Sequence, residues 1–364
     1  MEPQHLIVPT VVALGVAAVC TPAVARLATA LGVLDRPSPR KVSQRLGVPL
    51  LGGVAVALGF AAGLAAALPQ FAASVSMQRL LGLVVGGMML LATGAYDDRF
   101  GISAWPKFVV QIAAAAIAIS AGFRIDHATE PISHAYVELP SWVSWVVTTL
   151  WIVGVTNALN LIDGLDGLAT GVAAIIAVTL TMIAAQSGHP LSICVGVAMV
   201  GALLGFLPYN FSPARIFLGD TGALFIGYVL ALLALESYQR ATVLTFVVPL
   251  LALAVPIMDT GLSVMRRLRR GVNPFSADRL HIHHRMLDAH GNARGAVLQF
   301  YFLTGCFCLI ALSFTRLSGL SAAVFLAAVV VLTLRLLWNL GALSFQPDAH
   351  ELRELSRSPE ENET

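Results

Sequence analysis

The 364-residue chain is 57% hydrophobic and only 12% charged, with a formal charge of +2 and a mean hydropathy of +0.81. A soluble domain carries about twice that charged fraction, so the composition excludes an ordinary soluble protein. The small net charge and the lack of a basic, aromatic-rich patch exclude nucleic acid as a partner. Four cysteines, all within apolar runs, are expected to be buried free thiols: Cys20, Cys194, Cys306 and Cys308.

Long apolar runs recur from one end of the chain to the other. Because a transmembrane helix needs about 20 largely apolar residues, we predict an all-α, polytopic integral membrane protein with about eleven transmembrane helices. The N-terminus lacks the cationic start of a secretory signal, so the first run is expected to be a retained helix. The predicted spans lie near residues 6–30, 50–70, 78–96, 105–123, 142–160, 168–187, 190–208, 221–236, 242–263, 296–315 and 318–340.

Lysine and arginine are distributed very unevenly between the two sides of these spans. If the N-terminus lies outside, the inner loops hold most of the basic residues, and the outer loops hold only Arg79, Arg124, Arg240 and Arg316. The positive-inside rule therefore predicts an external N-terminus and a cytoplasmic C-terminus. We expect one transmembrane domain over residues 1–345, with its functional loops in the cytoplasm, and a charged, flexible tail over residues 346–364.

The central polar stretch reads Asn157-Ala-Leu-Asn-Leu-Ile-Asp-Gly-Leu-Asp-Gly-Leu168 and lies between two long apolar runs. Its chelating side chains, Asn157, Asn160, Asp163 and Asp166, recur every three residues. On a helix or a tight helical turn, side chains three apart are neighbours, so the four can converge on one face. A polar loop between two membrane helices is the alternative, but four chelating groups in ten residues favour a site.

Two further acidic motifs fall on the same predicted side of the membrane. Asp97 and Asp98 are adjacent, and their repulsion and desolvation at a membrane boundary would be offset by a metal ion, a lysine or a phosphate-bearing ligand. The alternative is a solvated acidic turn paired with Arg99. Asp220, flanked by glycines at the start of a span, is either an N-cap or a ligand for Mg²⁺, which takes one or two protein oxygens.

The long loop after residue 263 contains three histidines and an arginine in five positions, His281, His283, His284 and Arg285. Their spacing differs from that of the His-Glu-x-x-His zinc helix. Imidazole and guanidinium donors suit sugar hydroxyls and pyrophosphate oxygens, so we expect ligand binding here. The first loop, 35–41, is also basic and would attract phosphate at the bilayer surface, or serve only to keep this loop inside.

With these motifs in this order, the chain resembles the polyprenyl-phosphate N-acetylhexosamine-1-phosphate transferases, the glycosyltransferase 4 family, over roughly residues 30 to 290. The resemblance depends most on Asn-x-x-Asn-x-x-Asp-Gly-x-Asp-Gly-Leu at 157–168 and Phe-x-Gly-Asp-x-Gly at 217–222. The His-Ile-His-His-Arg block is similar to that of the GlcNAc-1-phosphate branch, whereas the MurNAc-pentapeptide translocases carry a consecutive histidine triplet. Two departures are Ser43, where the family commonly has His, and Ala223, where it usually has Ser.

The resemblance implies an enzyme that transfers GlcNAc-1-phosphate from a UDP-sugar to undecaprenyl phosphate in the inner leaflet. UMP is released, and the lipid-linked product starts a cell-envelope polysaccharide such as O-antigen. The protein would lie in the cell (inner) membrane with its active site facing the cytoplasm, and a homodimer is a further expectation. The implied metal is Mg²⁺, with Mn²⁺ as a substitute.

The resemblance also implies a role for each motif residue of this chain. The implied metal ligands are Asp220 and Asn160. The implied catalytic residues are Asp97, Asp98, Asp163 and Asp166. The implied substrate-binding residues are Lys107, Asn157, His281, His283, His284 and Arg285.

Three alternatives stay open. The same reaction could use another UDP-N-acetyl sugar or UDP-MurNAc-pentapeptide. A non-catalytic transporter or lipid-binding protein would carry ionisable residues midway along its spans, whereas the predicted spans are nearly free of charge there. An inactive relative with a regulatory role is the third alternative, and the intact acidic motifs argue against it.

Overall fold

The computed structural model describes residues 4–35, 47–71, 74–129, 136–236, 248, 250–269, 292–315 and 319–339. Over these ranges the fold is almost entirely helical. Its helices are α1 (Gln4–Ala30), α2 (Gly52–Phe71), α3 (Met77–Phe100), α4 (Ala104–Ser120), α5 (Ser141–Ile162), α6 (Leu168–Ser187), α7 (Pro190–Asn210), α8 (Gly219–Glu236), α9 (Ala254–Arg269), α10 (Ala293–Phe314) and α11 (Gly319–Asn339). Its strands are β1 (His127–Thr129) and β2 (Tyr136–Glu138).

Eight of the described helices are long and apolar enough to cross a membrane: α1, α2, α3, α5, α6, α7, α8 and α10. The described apolar helices in the other three predicted spans are shorter, namely α4, the Ala254–Met265 part of α9 and the Val324–Arg335 part of α11. The prediction of a polytopic helical membrane protein is confirmed. Within the described residues, eight helices have the length and composition of a membrane span, so the predicted number of eleven is not shown.

Several helices continue past the end of the apolar run from which they were predicted. Helix α3 includes Asp97 and Asp98 in its last turn, and α9 continues through Arg266 and Arg267 to Arg269, which we had placed in a loop. Arginine, leucine and methionine are good helix formers, so a change from apolar to charged residues need not end a helix. The acidic pair is therefore held on a helix.

The predicted all-α class misses a small antiparallel ribbon between α4 and α5. Strand β1 pairs with β2 in the register His127↔Glu138, Ala128↔Val137 and Thr129↔Tyr136. Each strand has only three residues, too few to show the alternation by which a strand is recognised in a sequence. The ribbon lies at the end of the bundle where α4 ends and α5 begins.

Helix α8 is the central element of the bundle. Every residue from Thr221 to Glu236 is buried, and the helix contacts α2, α3, α5, α6 and α7. Helix α1 packs on α2 and α7, while α10 packs on α6 and α9. Helix α8 begins at Gly219, and its first turn packs against the ends of the neighbouring helices.

Small residues let the backbones of α2 and α8 come very close together. A Cβ atom at Gly53 would lie 2.1 Å from the backbone nitrogen of Gly222, a distance that atoms cannot adopt without a shift. The same end of α2 is tied to the segment before α8, because the nitrogens of Gly52 and Gly53 donate to the carbonyls of Phe217 and Leu218 at 3.0 Å. Small residues at helix contacts are the usual means of close packing in membranes.

Two ion pairs lie at the opposite end of the bundle. Arg79 at the start of α3 contacts Glu236 at the end of α8, with 2.8 Å between Nη1 and Oε1. Arg124 contacts Asp126 just before the ribbon, at 3.1 Å. Asp126 also accepts a hydrogen bond from Ser144 of α5, so this end has its own polar contacts.

We expect Gly53→Ala to lower the free energy of unfolding by about 1–3 kcal/mol, because the new methyl group would push α2 away from α8. Thermal unfolding of the purified protein in detergent measures the effect. Gly154→Ala is the matched control, since a Cβ at this exposed helical position meets nothing within 4 Å. Equal melting temperatures for the two variants would contradict the close α2–α8 contact.

Candidate active site

A lysine joins two carboxylates at the end of the bundle where α8 begins. The Nζ atom of Lys107, in the first turn of α4, lies 2.8 Å from Oδ2 of Asp97 and 2.8 Å from Oδ2 of Asp220. The other oxygen of Asp220 accepts a hydrogen bond from Nδ2 of Asn160 at 3.0 Å. Helices α3, α4, α5 and α8 thus each supply one side chain to a single polar cluster.

The cluster carries an excess of negative charge. Asp97 and Asp220 both contact the ammonium group of Lys107, and Asp98 lies beside Asp220, so three carboxyl groups share one cationic side chain. The side chains of Asp97 and Lys107 are 12% and 21% exposed, which limits how far water can screen the repulsion. A cation or a positively charged partner would therefore be favoured at this position.

Asp98 supplies the cap at the start of α8. Its Oδ1 accepts from the backbone nitrogen of Asp220 at 2.9 Å, and its Oδ2 accepts from the nitrogen and hydroxyl of Thr221 at 3.1 and 2.6 Å. The sequence allows Asp220 itself as the N-cap, but the structure places it within the first turn of α8. The cap comes from another helix, and it fixes the backbone that carries Asp220.

Two glycines allow the end of α3 to reach the start of α8. A Cβ at Gly94 would lie 2.4 Å from the carbonyl oxygen of Asp220. A Cβ at Gly219 would lie 2.3 Å from Oδ2 of Asp98, and the φ angle of Gly219 is +72°. Glycine is required at 219 for both reasons, the left-handed backbone and the close carboxylate.

An open cleft lies beside the cluster. Asp163 and Asp166 line this cleft together with Asp98 and Asp220, so the two acidic motifs face a common space. Oδ2 of Asp166 accepts a hydrogen bond from the backbone nitrogen of Ala214 at 3.0 Å. The remaining lining residues are Leu50, Gly164, Leu165, Asn210, Phe217, Leu218 and Gly219.

Helix α10 supports two of the chain segments beside the cleft. The hydroxyl of Tyr301 donates to the carbonyl of Gly167 at 2.5 Å, and Nε of Arg294 donates to the carbonyl of Ser212 at 2.8 Å. Gly167 follows Asp166, and Ser212 lies in the segment that leads to α8. Both segments are therefore attached to the same helix.

The structure brings most of the predicted site residues together, although not with the regularity we expected. Asn157 and Asn160 lie on α5, but the helix ends at Ile162. Asp163 and Asp166 therefore follow in turns instead of continuing one helical face. The four predicted residues of the histidine block, His281, His283, His284 and Arg285, lie outside the described residues, as do the basic segment 36–46 and the tail 346–364.

Asn157 makes its contacts within the protein. Its Nδ2 donates to Oε1 of Gln111 at 2.6 Å and to the carbonyl of Val153 at 2.7 Å, and its Oδ1 accepts from Nε2 of Gln111 at 3.2 Å. The sequence motifs predict no role for Gln111, Thr221 or Tyr301. Gln111 could have been noticed as an uncharged polar residue one helical turn after Lys107, inside an apolar run.

The donor atoms of the cluster suit a hard divalent cation held by few protein ligands. Each Asp220 oxygen accepts one protein hydrogen bond and keeps a second lone pair. Across the described ranges, no group of three or more His, Cys, Asp or Glu side chains forms a metal site. An ion here would therefore take much of its coordination from water or ligand phosphate, which is the usual mode for Mg²⁺.

Residues 80–238 match the family described as Glycosyl transferase family 4. A Bacillus subtilis protein named "Probable undecaprenyl-phosphate N-acetylglucosaminyl 1-phosphate transferase" is 36% identical over 310 residues, covering 85% of this chain and 84% of the relative. This chain belongs to glycosyl transferase family 4.

Other members of glycosyl transferase family 4 align over most of their length. A Mycolicibacterium smegmatis protein named "Decaprenyl-phosphate N-acetylglucosaminephosphotransferase" is 32% identical, with 77% of this chain and 74% of the relative aligned. An Escherichia coli K12 protein named "Undecaprenyl-phosphate alpha-N-acetylglucosaminyl 1-phosphate transferase" is 29% identical, with 74% of this chain and 73% of the relative aligned. The family that the sequence motifs indicated is thus confirmed.

We expect Asp98→Ala to lower the free energy of unfolding of this family 4 protein by about 1.5–3 kcal/mol or more, because three donors at the start of α8 lose a charged acceptor. Asp98→Asn keeps one acceptor oxygen and should lie between Ala and the unmodified protein. Thermal unfolding gives the order. Asp126→Ala, at an exposed ion pair, is the control and should change stability little; an effect as large as that of Asp98→Ala would contradict this assignment.

Proposed function

We propose that the protein transfers GlcNAc-1-phosphate from UDP-GlcNAc to undecaprenyl phosphate, and that this step starts a cell-envelope polysaccharide. The observation that carries the proposal is the cluster of Asp97, Lys107, Asn160 and Asp220 at one end of a transmembrane bundle. It lies beside a cleft lined by Asp163 and Asp166. The names of the family relatives give the sugar phosphate and the polyprenyl acceptor.

In this reaction an oxygen of the lipid phosphate attacks the phosphorus that bears the sugar. The bond from that phosphorus to the oxygen it shares with UMP breaks, UMP leaves, and a lipid-linked sugar pyrophosphate remains. Phosphoryl transfer depends mainly on positioning and on neutralising charge. A phosphate monoester has already lost most of its second proton near pH 7, so a strong base is not required for the attack.

The described side chains fit these needs. Lys107, held between Asp97 and Asp220, places an ammonium group where it can balance phosphate charge. Asp97 accepts from Lys107 and, at 2.6 Å, from the nitrogen of Ile102, so we assign it the role of orienting Lys107 and the lipid phosphate. Asp163 and Asp166 line the cleft, where we place the nucleotide and sugar.

We propose Mg²⁺ as the cofactor, with Asp220 and Asn160 as the residues that would hold it. Oxygen donors and an excess of negative charge suit this ion. When bound, the ion offsets charge on the phosphate oxygens of the donor. Mn²⁺ prefers the same kind of oxygen ligands and is expected to substitute.

We also propose that the protein crosses the cell membrane eleven times, with its N-terminus outside, its C-terminus in the cytoplasm and its active site facing the cytoplasm. The excess of lysine and arginine in the loops on the side of Asp220 supports this orientation. Two of the four predicted outer arginines, Arg79 and Arg124, lie at the opposite end of the bundle from Asp220. A cytoplasmic site would have direct access to nucleotide sugars.

A transporter or lipid-binding protein is the competing function. The buried Asp259 of α9 is the kind of ionisable residue that such a function would use. Incubating the purified protein with UDP-GlcNAc, undecaprenyl phosphate and Mg²⁺ distinguishes the two, because only a transferase releases UMP. Repeating the assay with other UDP-N-acetyl sugars and UDP-MurNAc-pentapeptide identifies the donor.

We expect Asp220→Asn to abolish detectable UMP release, because the variant loses the charge that holds Lys107 and the proposed ion. UMP is measured by coupled assay or chromatography. Asp126→Asn removes a carboxylate at the far end of the bundle and should leave the rate unchanged. Near-normal turnover by Asp220→Asn would remove Asp220 from the site.

We expect a chelator such as EDTA to stop UMP release, and added Mg²⁺ to restore it, because the donor pyrophosphate would otherwise face uncompensated carboxylates. Mn²⁺ should restore part of the activity. The assay is the same, with a metal-free, dialysed protein as the starting point. Full activity in excess chelator would contradict the assignment of a divalent cation.

A further inference from the structure

The side-chain amides of Gln111 and Asn157 form a reciprocal pair between α4 and α5. Gln111 donates to Asn157 at 3.2 Å, and Asn157 donates back at 2.6 Å. Gln111 is 2% exposed, and Asn157 uses its second N–H on the carbonyl of Val153. Both N–H groups of Asn157 are thus engaged within the protein.

On both helices, the pair lies about one helical turn away from the acidic cluster. Lys107 precedes Gln111 by four residues on α4, and Asn160 follows Asn157 by three residues on α5. Residues three or four apart lie on the same face of a helix. Because α4 begins and α5 ends at the cluster, both steps lead from the amide pair toward Asp220, which Lys107 and Asn160 contact.

Helix α4 is held near the cluster by the ion pairs of Lys107 and by the half-buried side chains of Phe108 and Val110, and its first fully buried residue is Gln111. It contacts α3 and α5, and besides Gln111 its buried residues are Ala114, Ala115, Ala118 and Ile119, which lie further from the cluster. Its first turns expose Trp105 by 69% and Val109 by 52%. Small alanine contacts define depth and rotation weakly, whereas paired amides in an apolar bundle are directional.

We propose that Gln111 and Asn157 are positioning residues for the transfer reaction, which set the depth and rotation of α4 and thereby hold Lys107 against Asp97 and Asp220. This inference rests on the proposed function of the cluster. It gives Asn157 a role through Lys107 and Asn160 in place of contact with a substrate.

The kinetic test uses Gln111→Leu, Asn157→Leu and the double variant. Each single variant is expected to lower kcat about 10- to 100-fold, since a shift of about 1 Å in a reacting group can cost that much. The KM values for UDP-GlcNAc and undecaprenyl phosphate should stay within about twofold. The double variant should be no slower than the single ones, because the two residues act as a unit.

The double variant also guards against misfolding. Replacing one partner leaves a buried amide unpaired, whereas replacing both leaves none, so the double variant should fold even where a single variant does not. Gln78→Leu is the matched control. Gln78 of α3 donates to the carbonyl of Ser120, at the other end of α4, and its loss should leave kcat unchanged.

A labelling experiment tests the position of Lys107 without any assay of activity. The chain contains only two lysines, Lys41 and Lys107, so Lys41 is an internal reference. An ammonium group held between two carboxylates reacts slowly with an amine-directed acylating reagent. Mass spectrometry should show a several-fold faster modification of Lys107, relative to Lys41, in all three pair variants and no change in Gln78→Leu.

Either of two results would overturn the proposal. A raised KM in Asn157→Leu alone would make Asn157 a direct substrate contact. If the labelling of Lys107 is unchanged and the losses of kcat in the two single variants multiply in the double variant, the pair only stabilises the fold. If the unmodified protein releases no UMP, the proposed function fails, and the labelling result still decides whether the pair positions Lys107.

Discussion

The rest of the site depends on the hydrogen bonds that the carboxylate of Asp98 accepts at the start of α8. Helix α8 is buried along nearly its whole length, and the first N–H groups of any helix need an acceptor. Asp98 supplies it from α3, and the absence of side chains at Gly94 and Gly219 allows this close approach. The carboxylate of Asp98 therefore both caps the central helix and fixes the position of Asp220.

A charge balance follows from this arrangement. The cap brings Asp98 beside Asp220, and Asp97 is next to it in the chain, so a bundle of apolar helices must accommodate three carboxylates. Lys107 offsets one of them. The remaining negative charge would be costly in a purely structural site, and it suits a centre that binds a cation and phosphate groups.

The family, the helical membrane fold and most of the candidate site could be predicted from the sequence, because apolar runs and two specific motifs determine them. Local rules were less reliable where other helices decide the outcome. Asp220 satisfied the local pattern of an N-cap, yet Asp98 provides the cap from 122 residues away. Gln111 was overlooked because its partner Asn157 lies 46 residues further on, and no local pattern shows such a pair.

The attachment of two segments beside the cleft to α10 has a consequence for biosynthesis. Tyr301 reaches Gly167 across 134 residues, and Arg294 reaches Ser212 across 82, so the chain makes these segments long before it makes their support. Until α10 joins the bundle, the carbonyls of Gly167 and Ser212 lack these donors. A ribosome-bound intermediate therefore carries the acids without a finished cleft, and the site matures only after a late helix has entered the membrane.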